Sequence, residues 1–242
     1  MPIAVAIDGA YFLKRFKHSF PDLDPNDAAD VAQAVSSMAT YHLAFRLGPK
    51  LMLAAVESRT FQPDESPELY RIFFYDCPPL KKRAQHRVSG KPLDFAKSEV
   101  AVLRDKIHEA LNGTRKVALR LGVLNEGLSG WIPHPDAVKR WLLDPSKFDP
   151  IDDDFKYDIK QKGVDMRLGL DVAAMAFKKQ VNQIILVAGD ADFVPAVKLA
   201  RREGVDVVLD PMWGNPAPDL LKHVDGVRNC QIGGRPGFEA TK

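Results

Sequence analysis

The chain has 242 residues, of which 45% are hydrophobic and 27% charged, and its formal net charge is +2. These values are ordinary for a globular protein built around one large α/β domain. They exclude a membrane-spanning chain, because no apolar run approaches the roughly 18 residues that a span needs. So small a net charge does not by itself indicate nucleic-acid binding, and only a local basic cluster can support it.

The first residues and the cysteines bear on the cellular compartment. The start of the chain carries no basic segment and reaches an acid at Asp8, so we expect no signal peptide. Cys77 and Cys230 lie far apart, and neither has a Cys or His at metal-ligand spacing. We therefore expect reduced thiols, no zinc site and a cytoplasmic protein that does not bind membranes.

Apolar runs alternate with helical periods, which predicts βαβ units around a mostly parallel sheet. Strands are predicted at 3–7, 69–75, 115–124, 183–188 and 205–209. Helices are predicted at 24–47, 94–111, 135–143, 164–179, 193–204 and 218–224. Asn26 or Asp27 is the expected cap of the first helix, and Gly48 its stop. Residues 1–232 are expected to form a single domain, followed by a flexible tail over 233–242.

Four of the predicted strands run into an aspartate, namely Asp8, Asp76, Asp190 and Asp210. In a parallel sheet the carboxyl ends of the strands lie at one edge, because the helical crossovers return the chain to the same starting side. Open α/β sheets bind their ligands at this edge. A helix cap explains one aspartate there, but four together indicate a functional site.

Each of these acids also has a structural explanation. Asp8 can cap or turn the chain, while Asp76 and Asp210 stand just before prolines, where acids often open turns. One aspartate of the pair Asp190 and Asp192 is enough to cap the helix that follows. The pair therefore leaves one carboxylate without a structural purpose.

A fifth acid, Asp165, lies in the first turn of the helix predicted at 164–179. The helix macrodipole favours a negative charge there by about 0.3–1 kcal/mol, but the start of that helix also projects over the same sheet edge. Asp171 lies six residues further on, about 240° round the helix, so it need not share the face of Asp165. We expect Asp171 to pair with a neighbouring base.

Carboxylates that converge without a basic partner repel one another. Two like charges 4 Å apart cost about 4 kcal/mol at an effective dielectric constant of 20, so either some of the acids are protonated or a cation neutralises them. Sites made only of oxygen ligands suit Mg²⁺ or Mn²⁺. A hard divalent cation on an aspartate cluster indicates phosphoryl chemistry, because it stabilises developing charge and makes a bound water a better nucleophile.

Four segments, in this order, resemble the NYN domain family, the LabA-like proteins of DUF88 within the PIN-like nucleases. They are AVAIDGAYF, FFYDCPP, KGVDMRLGLDVAAMA and ILVAGDADFVPAVKLARREGVDVVL, and the resemblance runs from about residue 3 to residue 228. It implies a PIN-like, Rossmann-like three-layer α/β/α sandwich and a metal-dependent endoribonuclease. It also implies that Asp8, Asp165, Asp190 and Asp192 bind the Mg²⁺ or Mn²⁺.

The chain departs from the family at Tyr11, where many members have Asn. An asparagine in that position can hydrogen-bond a substrate phosphate or a water on the metal. The tyrosine replaces that role with its hydroxyl, stacks on a base, or packs as a structural residue. The departure spares the acids.

A basic segment follows the Asp76 strand end and makes RNA the expected partner, whether single-stranded or structured. The segment spans 80–91 and includes Lys81, Lys82, Arg83, Arg87 and Lys91 but no acid, so it is able to contact phosphates over the site or to remain a solvated loop. Lys14, Arg15 and Lys17 add positive charge at the same edge. The acidic run at 149–155 is expected to be a solvated loop.

Three alternative functions are less well supported by the sequence. A catalytically inert NYN-like module would bind RNA or protein without cutting, because fold does not determine function. A haloacid-dehalogenase-like phosphatase needs a second Asp where this chain has Ala10, and a dinucleotide-binding fold needs a Gly-rich loop after the first strand. Association into a homo-oligomer stays open, with Trp131, Trp141 and Trp213 expected in the core.

Overall fold

A computed structural model describes residues 2–48, 66 and 68–232. Its strands are β1 (Ile3–Asp8), β2 (Leu69–Asp76), β3 (Arg83–Gln85), β4 (Pro92–Asp94), β5 (Val117–Leu121), β6 (Val123–Pro133), β7 (Phe155–Lys162), β8 (Gln183–Val187), β9 (Asp206–Asp210) and β10 (Gly226–Val227). Its helices are α1 (Gly9–Ser19), α2 (Ala28–Leu47), α3 (Glu99–Gly113), α4 (Pro135–Leu143), α5 (Val164–Phe177), α6 (Val194–Arg202) and α7 (Pro218–His223).

Six strands form a central parallel sheet in the order β10-β9-β8-β1-β2-β5. Helices α1, α2 and α3 cover one face, and α5, α6 and α7 cover the other. Alternate residues of β1 serve the two cores: Ile3, Val5 and Ile7 face α1 and α2, whereas Ala4 and Ala6 face α5. Burial on both faces explains why the strands are continuous apolar runs. The predicted α/β sandwich with a parallel central sheet is confirmed.

The helix boundaries follow local capping chemistry. Asp27 caps α2 by accepting hydrogen bonds from the backbone N–H groups of Ala29 and Asp30, and Gly48 ends that helix at a φ of 105°. The prediction that α3 starts at 94 was wrong. Asp94 caps a separate 3₁₀ turn, and α3 begins after its own cap, Ser98.

Two elements near predicted strands were not anticipated. Helix α1 follows β1 without a loop, and its sequence signal is the pair Phe12 and Phe16, which lie one turn apart and are buried. The strand predicted at 115–124 is broken at Gly122. A Cβ there would lie 2.7 Å from the Lys162 carbonyl oxygen, so the chain passes close to β7 at this point.

A smaller antiparallel sheet, β6–β7, lies beside the main one and was missed by the sequence analysis. A ring of aromatic side chains packs it against the β3–β4 hairpin. The rings of Trp131 and Tyr157 pack edge to face with their centroids 5.4 Å apart, and the centroid of the Phe95 ring lies 4.9 Å from that of Tyr157. The Trp131 indole N–H donates a hydrogen bond to the Gln85 carbonyl oxygen. Trp131 and Trp213 are only partly buried, and Trp141 is 52% exposed on α4, so the prediction that these tryptophans lie in the core was wrong.

The acidic run at 149–155 is not the solvated loop that was predicted. Asp152 accepts hydrogen bonds from the Val88 and Ser89 backbone and from the Ser89 hydroxyl, and these bonds hold its pKa at about 2. Asp154 is buried and pairs with Arg140. The run therefore ties the basic segment and α4 to the small sheet.

Both cysteines are unpaired and buried, as expected. Among the described residues, no helix combines the length and the apolar character needed to cross a membrane. The tail predicted over 233–242 lies outside the described residues.

Candidate functional site

Asp8 stands at the carboxyl end of β1, in the middle of the main sheet. Its Oδ1 accepts hydrogen bonds from the backbone N–H groups of Ala10 (3.0 Å) and Tyr11 (3.2 Å), so the carboxylate also caps α1. Gly9 is required next, because a Cβ there would lie 2.5 Å from the Phe74 ring. Asp8 thus combines a structural bond on one oxygen with a second oxygen that is available to a ligand.

Asp165 borders the same cavity as Asp8 but belongs to helix α5. Strand β7 ends at Lys162, Gly163 turns the chain with a φ of 80°, and Asp165 falls in the first turn of α5. A cavity of about 130 Å³ opens between these elements. It is lined by Asp8, Ala10, Tyr75, Asp76, Gln161, Gly163, Val164 and Asp165. Gln161 was not predicted to line the cavity, because the sequence offers only its position four residues before Asp165 as an indication.

Asp190 and Asp192 follow β8, the neighbour of β1 in the sheet. Asp190 caps the 3₁₀ turn at 191–193 by accepting from the Asp192 backbone N–H at 3.2 Å. The cap is therefore Asp190, and the Asp192 carboxylate accepts no hydrogen bond from the described residues. Both residues are exposed.

Two of the four acids, Asp8 and Asp165, have raised pKa values. The pKa of Asp8 is raised, first by burial and then by repulsion from Asp165 and Asp76. Although Asp165 as a whole is exposed, partial desolvation of its carboxylate raises its pKa, and the charges of Asp192 and Asp190 raise it further. Within the described part of the chain, no Lys, Arg or His forms an ion pair with any of the four.

The other two strand-end acids have protein partners. Asp76 Oδ2 accepts from Arg104 Nη1 and His108 Nε2, both at 2.8 Å, although Asp76 also borders the cavity. Asp210 is fully buried and pairs with His42. The six acids therefore separate into four that have no basic partner in the described part of the chain and two that hold helices against the sheet.

Asp171 is paired as expected. Its carboxylate forms two hydrogen bonds with Arg120, at 2.8 and 2.9 Å, and accepts from the Tyr75 hydroxyl at 3.0 Å. Burial and the Asp171 charge raise the pKa of Tyr75. This network joins β2, β5 and α5 behind the cavity.

Tyr11 packs as a structural residue. Its ring lies over Gly189, and its hydroxyl donates to the Pro211 carbonyl oxygen at 2.7 Å. A Cβ on Gly189 would lie 2.4 Å from the ring, and one on Gly214 would lie 2.5 Å from the hydroxyl oxygen. Two glycines therefore form a slot for the tyrosine, which links α1 to the loops after β8 and β9.

Replacing Gly189 by Ala is expected to destabilise the protein by about 1–3 kcal/mol, because the new methyl group overlaps the Tyr11 ring. Urea unfolding of four proteins checks this: the wild type, Gly189→Ala, Tyr11→Asn and the double variant. The alanine should cost clearly less when Tyr11 is Asn, since the ring is then gone. Equal costs in both backgrounds would contradict the slot.

The basic segment at 80–91 is partly engaged within the protein. Lys81 pairs with Asp105 at 2.9 Å, and Arg83 lies 3.7 Å from Asp94. These two pairs are exposed and weak, but they satisfy charges that were predicted to meet phosphates.

The other predicted cations differ in how open they are. Lys82 lies 6.0 Å from the centre of the Tyr157 ring, and Arg87 is exposed. Lys14 is exposed on α1, roughly 8 Å along the axis from its first residue. Arg15 was expected at the positive rim, but it donates instead to the carbonyl oxygens of Met212 and Trp213.

The donors of the site fit a hard divalent cation. Within the described ranges, no three His, Cys, Asp or Glu side chains stand close enough together to enclose a metal ion. All the candidate donors are carboxylate oxygens, however, and Mg²⁺ is usually held by only one or two carboxylates together with waters and substrate phosphates. Asp8 and Asp165, which border one cavity, meet that requirement.

Replacing Asp165 by Asn is expected to raise the melting temperature at pH 7 in EDTA. A raised pKa means that the carboxyl group stabilises the fold when protonated, below about its ordinary value of 3.8, and that this stabilisation is lost as the pH rises through the folded pKa. The gain of the variant should therefore vanish at low pH. The exposed Asp22→Asn should show no such gain, and a lower melting temperature for Asp165→Asn would contradict the repulsion.

Comparison with known proteins gives one family match. Residues 101–227 match the model of the NYN domain. An uncharacterised protein of Sinorhizobium fredii (strain NBRC 101917 / NGR234), y4oD, is 32% identical over 69 residues, which are 27% of this chain. The match spans about a third of that relative's length, 32%. No solved structure matches the chain.

Proposed function

Because the chain belongs to the NYN domain family, whose members are generally nuclease-like, we propose that it is a metal-dependent endoribonuclease of the LabA-like, PIN-like type. The observation that carries the proposal is the group Asp8, Asp165, Asp190 and Asp192. These acids lie at the carboxyl edge of the sheet and have no ion-pair partner among the described residues. The charges of Asp192 and Asp190 add to desolvation in raising the pKa of Asp165, and the charge of Asp165 adds to burial in raising the pKa of Asp8. A set of unpaired carboxylates at this edge suits a cation and a phosphate ester.

Each acid has a distinct task in this proposal. Asp8 and Asp165, which border one cavity, would hold the Mg²⁺ or Mn²⁺. Asp190 and Asp192, at the end of the neighbouring strand β8, would add negative charge that favours the cation. When bound, the cation supplies charge stabilisation at the phosphate and an activated water for in-line attack.

The protein's own residues position the acids before any ligand arrives. Asp8 is held by two backbone N–H groups and Asp190 by one. The Tyr11 ring fixes Gly189, and therefore the start of the Asp190 turn, against α1. Preorganisation of this kind removes the need to order the acids during the reaction.

The proposed substrate is RNA, held through its phosphates by the cations near the site. Lys82, Arg87 and Lys14 are proposed as phosphate contacts, whereas Lys81 and Arg83 have to exchange their acidic partners first. Such contacts give affinity without sequence selectivity.

A cleavage assay tests the proposal. Labelled RNA is incubated with the protein in Mn²⁺, in Mg²⁺ and in EDTA. Cleavage is expected with either cation and none in EDTA, with full recovery when the cation is returned in excess. Cleavage that persists in EDTA, or an absence of cleavage under all three conditions, would contradict the proposal.

The second candidate is a module that binds RNA or protein without cutting. The observation that favours it is Tyr11, which fills a packed slot and donates to the Pro211 carbonyl oxygen where many relatives would present an asparagine. RNA binding that is insensitive to EDTA, without cleavage, would distinguish this function from the first.

A further inference from the structure

A second cavity, of about 590 Å³ and widely open to solvent, lies at the opposite edge of the sheet from the acids. It is lined by Lys198, Arg201, Arg202, Gly204, Val205, Asp206, His223 and Asp225. Asp206 is the first residue of β9, and all strands of the main sheet run in the same direction, so this is the amino edge. Helix α6, roughly 14 Å long, separates the cavity from the Asp190 turn.

The two acids in this cavity are occupied by protein donors. Asp225 Oδ1 accepts from Arg201 Nε at 2.7 Å, and its Oδ2 accepts from the Val207 backbone N–H at 2.9 Å. Asp206 Oδ2 accepts from the Gln183 amide at 2.5 Å. Both carboxylates therefore hold together the elements that form the cavity and are not available to a ligand.

The cations are only partly occupied. Arg201 is bonded to Asp225 and to the His223 carbonyl oxygen, and it faces the negative end of the α6 dipole. Lys198 and Arg202 lie one turn apart on α6 and are exposed, and neither forms an ion pair with a described residue. The cavity thus presents the positive side chains of Lys198 and Arg202 to a ligand, while its two carboxylates are already bonded to protein donors.

We propose that this cavity binds a phosphate-bearing ligand of nucleotide size, with Lys198 and Arg202 contacting the phosphate. The volume lies within the range of small-molecule sites, about 300–1,000 Å³. Arg offers a planar pair of donors to phosphate oxygens, and Lys adds a mobile charge. Val205 supplies an apolar wall, and Gly204, with a φ of 83° and open space where a Cβ would stand, leaves the rim clear. The proposal does not depend on nuclease activity.

Calorimetric titration of the full chain tests this site. AMP, inorganic phosphate and adenosine are titrated in EDTA, so that the aspartate cluster holds no cation and repels phosphates. AMP is expected to bind and adenosine is not, because the phosphate is the recognised group. If inorganic phosphate binds as tightly as AMP, the ligand of this cavity is free phosphate. If AMP binds more tightly than phosphate, the ligand is a nucleotide.

Matched variants separate the cavity from the overall charge. The pair Lys198→Gln and Arg202→Gln should weaken AMP binding at least about tenfold, since both charge-assisted hydrogen bonds to the phosphate are lost. The pair Lys178→Gln and Lys179→Gln removes the same charge at the exposed end of α5 and should leave AMP binding unchanged. No AMP or phosphate binding to the wild type, or equal weakening by both pairs, would overturn the proposal.

Discussion

Replacing Asp190 by Asn is expected to lower RNA cleavage at least about 100-fold, beyond the 10- to 100-fold that the loss of a group behind a metal ligand causes. The side chain is exposed, and among the described residues it makes one hydrogen bond, which caps the turn at the Asp192 N–H. Asn is also a good cap, so the turn and the fold should persist. The variant therefore removes a negative charge and little else, and the loss should appear in initial cleavage rates at saturating Mn²⁺.

The control for this variant is Asp22→Asn. Asp22 is exposed in the turn after α1 and forms no side-chain hydrogen bond or ion pair with a described residue, so its loss should leave cleavage unchanged. Melting temperatures of both variants should stay near that of the wild type. Cleavage by Asp190→Asn at the wild-type rate would remove this acid from the proposed site, whatever the other acids do.

Replacing Asp210 by Ala is expected to destabilise the protein by roughly 3–5 kcal/mol, the cost of stripping one partner from a buried pair. Its carboxylate is fully buried and accepts from His42 Nε2 (2.9 Å) and from the backbone N–H groups of Met212 (2.8 Å) and Cys230 (3.0 Å). The alanine leaves all three donors without an acceptor. Urea unfolding monitored by circular dichroism measures the loss.

The milder Asp210→Asn keeps the measurement possible if the alanine variant does not fold. Asn retains an acceptor oxygen, so its cost should be smaller than that of Ala but still measurable. Cleavage per folded molecule should match the wild type at a temperature where the variant is folded. A cost below about 1 kcal/mol for the alanine would contradict the structural role, because a lone surface hydrogen bond is of that size.

The Asp190 and Asp210 variants test two aspartates that occupy similar positions in the sequence. Asp190 and Asp210 each follow an apolar run of a parallel strand, and both are predicted to lie at one edge. The sheet does place them there, on neighbouring strands. What separates them is the chain packed above each end: α2 brings His42 onto Asp210, whereas no described base reaches Asp190.

The sequence by itself determined five of the six strands of the main sheet, several helix boundaries and the acid-rich edge. These follow from local causes, namely runs of apolar residues buried on both faces, aspartate caps and glycine stops. The boundaries at Leu47, Pro135 and Leu143 agree with the predictions because a glycine or a proline lies at or close to each of these ends. The first predicted helix starts at Ala28 and not at residue 24, directly after the expected cap Asp27.

Only the tertiary structure decided which charges remain free. The pairings of Asp76 with His108, of Asp210 with His42 and of Asp152 with Ser89 join residues 32, 168 and 63 positions apart, so no local pattern foretells them. The slot for Tyr11 likewise needs glycines from two distant loops, Gly189 and Gly214. Periodicity and capping depend on near neighbours in the chain, whereas the partner of a carboxylate depends on which elements the fold brings together.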